Sequence, residues 1–252
     1  MTPAHAATSV DPAELEKFAA IADEWWSPEG KFKPLHRLNP VRLGYIRDRL
    51  CAHFGRDPRS VRSLEGLALV DIGCGGGLIA EPMARLGAAV TGLDAEARNI
   101  AVARAHAEGQ GLDIDYRATT AEALAAEHAR FDVVLALEIV EHVPDAGAFL
   151  HAAASLVAPG GALVASTLNR TARSYALAIV GAEYVLRWVP RGTHDWRRFV
   201  KPSELARHLR AAGLDLAATA GLVFNPLSGE WRLDPHDLAV NYIAMARRPS
   251  AE

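Results

Sequence analysis

The sequence predicts a doubly wound α/β fold, and three observations predict it. Five short apolar runs follow one another from residue 67, with helix-forming stretches between them. A glycine-rich loop stands where the first run gives way to the first of those helices. The last two runs of the chain are joined by a link too short to hold a crossover helix. Strands that alternate with helices make a parallel sheet covered on both faces, and right-handed crossovers wind it in two directions. A short link gives antiparallel pairing instead. The expected sheet is therefore mostly parallel with an antiparallel edge.

The 252 residues are expected to form one domain. DPAELEKFAAIADEWW, from residue 11, reads as a helix with Asp11 as N-cap, Pro12 at the first helical position and Glu14 as the acid of a capping box. SPEGKFKP breaks the pattern and NPVRLGYIRDRLCAHF restarts it, so residues 11–60 make a helical N-terminal cap. The core over 67–168 holds the strands LALVDIG, AAVTGLD, DIDYRAT, FDVVLALE and GALVASTL, with helices near 78–86, 95–109, 120–129 and 145–157. Residues 169–202 form a basic amphipathic insertion after the fifth strand. Residues 203–248 add a helix and two strands, LAATAGLVFNPL and DLAVNYIAMARR, with NPLSGEWRLDP as their link.

Composition excludes several classes of function. A net charge of −3 gives no case for nucleic-acid binding. The two cysteines, Cys51 and Cys74, fit neither a disulfide framework nor a zinc site. MTPAHAATSV lacks the basic and apolar regions of a secretory signal. No uncharged apolar run reaches the ~18–20 residues that span a bilayer. The expected location is the cytoplasm.

VDIGCGGGLIAEPMARLG, residues 70–87, carries the first chemistry. Gly73, Gly75 and Gly77 let the backbone turn sharply and come close to a ligand. A dinucleotide fingerprint would need a third glycine where Leu78 stands. The D-x-G-x-G-x-G pattern headed by Asp71 instead resembles the first motif of the class I, Rossmann-like, S-adenosylmethionine-dependent methyltransferases. Asp94 ends the second strand, 21 residues after Gly73, where a carboxylate can accept hydrogen bonds from both ribose hydroxyls. The plainer alternative is that the glycines only make a tight turn and Asp94 only caps the next helix. In RATTAEAL, backbone groups near Thr120 and Ala121 are candidates to meet the adenine amino group, and Leu137 to pack near the adenosine.

Outside that loop the resemblance narrows. WWSPEGKFKPLHRLNPVRLGYI (25–46), LEIVEHVPD (137–145), residues 166–202 and GLVFNPLSGEWRL (221–233) together resemble the ubiquinone-biosynthesis O-methyltransferases, over nearly the whole chain from about residue 14. The resemblance implies methylation of a phenolic oxygen on a polyprenylated catechol, and later on demethylubiquinol. It also implies that Arg42 reaches the cofactor, with the carboxylate as the group a guanidinium fork suits, and that Glu138, Glu141 and His142 hold a metal. The plainer alternative on local sequence alone is that Arg42 is a surface residue of an amphipathic helix.

A phenol titrates near ~10, so only about 0.1% is ionised at pH 7, equivalent to roughly 4 kcal/mol of barrier. Glu138, Glu141 and His142 occupy positions i, i+3 and i+4, which share one face if residues 138–142 form a helical turn. Two oxygens and one nitrogen suit Mg²⁺ or Mn²⁺, which both catechol oxygens would chelate and which would act as a Lewis acid. His142 could instead be a metal-free general base, since one imidazole cannot fill both roles. A third reading makes the cluster only the acidic start of a helix.

Residues 170–201 hold seven Lys/Arg against two Asp/Glu. Leu177, Val180, Tyr184 and Trp188 form an apolar stripe, and Arg170, Arg173, Arg187, Arg191, Arg197 and Arg198 would attract anionic headgroups. A prenylated substrate partitions into lipid, which favours membrane contact; a capping helix that closes the site is the alternative. His194 and Asp195 read as part of a lid or substrate loop, structural or catalytic. Three rival functions share the fold or the motif: a nicotinamide dehydrogenase, a non-catalytic lipid-associated assembly protein, and a carbon methyltransferase.

Overall fold

A computed structural model describes residues 10–12, 15–16, 21–177, 195–226 and 228–250. Its sheet has eight strands in the order β3-β2-β1-β4-β5-β8-β6-β7. They are β1 (Ala68–Ile72), β2 (Ala89–Asp94), β3 (Asp115–Ala118), β4 (Phe131–Leu137), β5 (Val157–Leu168), β6 (Asp215–Asn225), β7 (Glu230–Asp234) and β8 (Asn241–Arg247). The first five pair in parallel, and β8 runs antiparallel between β5 and β6. Strand order reverses between β1 and β4, which opens a crevice at their carboxyl ends.

The central strands read as unbroken apolar runs because both faces are buried. In β1 and β4, Leu69, Val133 and Leu135 join the core on one face, while Val70, Val134 and Ala136 join the other. Burial of each leucine or valine among them contributes about 1.5–3 kcal/mol.

Helices fall close to their expected places: α1 (Lys33–Phe54), α2 (Ala80–Arg85), α3 (Ala97–Gly109), α4 (Ala121–Ala126), α5 (Ala146–Ser155) and α6 (Pro202–Ala211). Two expectations need correction. Helix α1 starts six residues before Asn39, because Pro34 falls in the first turn, where its missing N–H costs nothing. The segment expected as a mere link, 225–235, contains β7, paired antiparallel with β6. Gly229 closes that hairpin at φ +72, and Trp231 packs on Phe224 with ring centroids 5.3 Å apart. The antiparallel part is thus three strands wide, with β7 at its edge.

The N-terminal cap is only partly described. Leu15 N donates to Asp11 O, as in a helical turn. Ala22–Glu24 form a single 3-10 turn, after which Trp25 and Trp26 leave helical structure and cross the glycine loop as a strap. In the insertion, residues 178–194 lie outside the described residues, and with them Val180, Tyr184, Arg187, Trp188, Arg191 and His194.

Candidate active site

A cavity of about 540 Å³ occupies the crevice beyond β1, β2 and β4. Its volume falls within the range of small-molecule and cofactor sites. Arg42, Gly73, Gly75, Asp94, Ala121, Leu137, Glu138, Glu141 and His142 all line it. These nine candidates therefore meet in one place.

The glycine loop makes its turn with Gly73 at φ +73 and Gly75 at φ +53. A Cβ on Gly73 would stand 2.6 Å from Ile139 Cδ1, and one on Gly75 would stand 2.4 Å from the Trp25 ring. The bare backbone is needed for both the turn and the approach. Asp94 fastens the loop, its Oδ2 accepting from Gly75 N at 2.9 Å. Its Oδ1 accepts from Glu96 N at 2.8 Å and from Asn99 Nδ2 at 3.3 Å. The capping contact and the place in the cavity coexist. Burial raises the Asp94 carboxyl above its ordinary value, and these three donors pull it back.

Asp71, at the head of the motif, is 3% exposed. Burial, helped by the neighbouring Asp94 charge and opposed by Arg42, pushes its carboxyl up to about 7. Such a group stabilises the fold fully below its unfolded value of 3.8, and that contribution is lost as the pH rises through about 7. In between, the slope reaches about 1.4 kcal/mol per pH unit. Urea midpoints of ligand-free protein are expected to fall between pH 5 and pH 8, and to fall less in Asp71→Asn. An equally steep fall in that variant would remove Asp71 as the cause.

The 138–142 turn departs from expectation. Glu138 has φ +53, a left-handed conformation that costs a non-glycine residue roughly 1–2 kcal/mol, and α5 begins only at Ala146 under its Asp145 cap. No helical face unites the three side chains, and none of them starts a helix. Glu138 Oε1 accepts from Ser166 Oγ at 2.7 Å and lies 3.0 Å from Arg42 Nη2, while Oε2 accepts from Asn241 Nδ2 at 3.1 Å. Glu141 turns the other way, its Oε2 accepting from Thr167 Oγ1 at 2.7 Å. Its Oε1 is buried without a hydrogen-bond donor. Burial and the Glu138 charge raise the Glu141 carboxyl, against the pull of His142 and Thr167. Among the described residues, no group of three His, Cys, Asp or Glu side chains is placed to hold a metal ion.

Arg42 is 3% exposed, which removes the surface reading. Its Nη1 donates to Asn39 Oδ1 at 3.3 Å, and its Nε has no acceptor. Thr120 caps α4 through Ala123 N at 3.3 Å, presenting Ala121 as the first residue of that helix.

The strap was not anticipated. Trp25 lies over Gly75 and Gly76, and Trp26 Nε1 donates to Gly76 O at 2.9 Å. The Trp26 ring stacks on His106 at 3.5 Å, and His106 Nδ1 is 2.6 Å from the buried Glu81. Two adjacent tryptophans before a helix-breaking SPEG were the available signal.

A family model described as a methyltransferase domain matches residues 70–165. Among curated relatives, the ubiquinone biosynthesis O-methyltransferase of Chelativorans sp. (strain BNC1) is 55% identical over 97% of this chain and 96% of its own. That of Cereibacter sphaeroides (strain ATCC 17025 / ATH 2.4.3) is 57% identical over 97% and 99%. The chain belongs to the ubiquinone biosynthesis O-methyltransferase family. It is a methyltransferase that uses S-adenosylmethionine. Solved structures agree on the fold. The magnesium protoporphyrin IX methyltransferase of Synechocystis PCC 6803, with bound SAH, superposes with a TM-score of 0.59 at 21% identity, covering 91% of this chain and 98% of that one. A SAM-dependent methyltransferase from Thermotoga maritima reaches 0.62 at 18% identity, covering 93% and 99%. Membership of this family removes the dehydrogenase reading.

Proposed function

We propose that this methyltransferase moves the methyl group of S-adenosylmethionine to a phenolic oxygen of a polyprenylated catechol, and of demethylubiquinol at a later step. The observation that carries this reading is the identity with relatives named for ubiquinone biosynthesis over nearly the whole chain. In-line displacement breaks the sulfonium–methyl bond, forms the aryl ether and releases S-adenosylhomocysteine. The phenolic proton leaves to a base. Opposite charges cancel along the way, so a dry cavity suits the reaction.

Each lining residue then has a task. Gly73 and Gly75 let the methionine portion lie against the backbone. The Arg42 guanidinium, with an Nε free of acceptors, suits the donor's carboxylate. Asp94 takes the ribose, backbone at Thr120 and Ala121 the adenine amino group, and Leu137 the adenosine face. His142 receives the phenolic proton, and Glu141 balances the charge that results.

A second reading places Mg²⁺ or Mn²⁺ at Glu138, Glu141 and His142, and the unpaired Glu141 Oε1 favours it. Glu138 as placed does not fit, since Ser166, Asn241 and Arg42 occupy its oxygens. Transfer of radiolabelled methyl to a prenylated catechol tests both readings. Activity that survives EDTA supports the imidazole; activity lost to EDTA and restored by Mn²⁺ supports the cation. A well-folded protein that transfers nothing overturns the function, and would leave the non-catalytic reading.

The enzyme is proposed to work from the cytoplasm at the membrane surface, where it meets its lipid-soluble substrate. Tyr175 and Leu177 are about half exposed and suit that contact. No helix among the described residues is long and apolar enough to cross a membrane. Three of the arginines counted for headgroups are instead paired internally: Arg170 with Glu204, Arg173 with Asp237, and Arg198 with Asp11. Charge attraction should therefore be weaker than the sequence count implies. Flotation on vesicles is expected with and without anionic lipid, more strongly with it, and to fall in Tyr175→Ser/Leu177→Ser. Unchanged flotation of that double variant would exclude the apolar contact.

A further inference from the structure

One polar path connects the strap to the acid at the end of β2. Trp25 Nε1 donates to Asn99 Oδ1 at 2.9 Å. An indole only donates, so Asn99 must turn its oxygen to Trp25 and its amide nitrogen away. That nitrogen stands 3.3 Å from Asp94 Oδ1. Asn99 is 2% exposed and Trp25 7%, so water cannot easily replace either partner. The Trp25 ring is itself fixed, stacked on Phe32 with centroids 3.6 Å apart and planes within 8°. It also covers Gly75, whose N–H donates to Asp94 Oδ2. Each oxygen of Asp94 thus has one donor that Trp25 keeps in place, and Oδ1 accepts from Glu96 N as well, at 2.8 Å.

We propose that Trp25 and Asn99 are positioning residues for the cofactor: an indole–amide relay by which the strap orients Asp94 toward the ribose and so sets affinity for the donor. This rests on the reading of Asp94 as the ribose acid. A carboxylate can rotate about its last bond, and burial disfavours its charge. A buried amide N–H on one oxygen restricts that rotation and favours the ionised form that accepts hydroxyl hydrogens. Without the relay, Asp94 keeps its two backbone donors, Gly75 N and Glu96 N, but loses its side-chain donor and is held less firmly.

The test compares wild type, Trp25→Phe, Asn99→Leu, the double variant and Asp94→Ala. Each is titrated calorimetrically with S-adenosylhomocysteine and with its 2′-deoxy and 3′-deoxy analogues, beside steady-state kinetics and thermal melts. Trp25→Phe keeps an aromatic ring and removes the donor. Each single variant is expected to raise the KM for S-adenosylmethionine about tenfold, with kcat within about twofold. Discrimination against the deoxy analogues should shrink, and the double variant should be no worse than either single, because one break already interrupts the path. Additive losses overturn the relay. So does unchanged discrimination in both singles when Asp94→Ala abolishes it. If Asp94→Ala keeps the discrimination, the ribose reading of Asp94 fails first and takes the relay with it. Should Asn99→Leu not fold, discrimination in Trp25→Phe decides alone.

Discussion

Replacing His142 with alanine is expected to lower kcat for methyl transfer by about 10²–10⁴-fold, the usual contribution of a positioned general base, while affinity for S-adenosylhomocysteine changes by less than about twofold. The residue sits in the turn after β4, where His142 N donates to Ile139 O at 2.9 Å, and it lines the cavity. An imidazole takes protons near neutral pH, whereas the phenol is about 0.1% ionised at pH 7. The variant must wait for that ionised fraction. Its rate should climb about tenfold per pH unit toward the phenol's own pKa near ~10, whereas the wild type levels off much earlier. Single-turnover rates between pH 6 and 9 read this directly. A loss under tenfold would remove His142 from both the base and the cation readings, whereas a large loss with parallel pH profiles would remove it as the base and leave the cation reading.

Gly75→Val should be as severe, acting on binding. Affinity for S-adenosylhomocysteine is expected to fall at least about a hundredfold. The position has φ +53, where a β-branched residue is strongly disfavoured, and the new Cβ would stand 2.4 Å from Trp25 Cη2 and Cζ2. The ring cannot retreat cheaply, because Phe32 stacks on one side and Asn99 holds its nitrogen. Either the loop or the strap must move, and both line the cavity. Calorimetry with tryptophan fluorescence reports the two effects together. Gly109→Ala is the control, since a Cβ there meets nothing within 4 Å, and it should leave binding unchanged. Wild-type affinity in Gly75→Val would mean the loop does not approach the donor.

Much of this was legible in the chain because the physics was local or periodic. Strands β1 to β5 stand out as apolar runs, since a sheet covered twice needs no alternation. The helix near 145–157 was legible too, and in the structure Asp145 caps its start. β7 escaped because EWRLD is half polar and only Trp231 has a clear packing partner. The conformation of Glu138 escaped for a different reason. Nothing in its side chain favours φ +53, and Ser166, Asn241 and Arg42, which hold it, lie 28, 103 and 96 residues away along the chain. Spacing at i, i+3 and i+4 implied a shared face only on the assumption of a helix, and the chain does not form one there. The lowered acidity of Asp71 likewise depends on its burial beside Asp94, which only the folded sheet creates.

The strap's contacts also carry a consequence for the order of assembly. Trp26 meets Gly76 across 50 residues, and Trp25 meets Asn99 across 74. Closing such spans costs chain entropy before any contact forms. During synthesis the indoles emerge long before their docking surface exists, so this layer settles last. In the mature protein it should be among the first to come undone, with amides of 21–32 exchanging hydrogen for deuterium well ahead of those in β1 and β4.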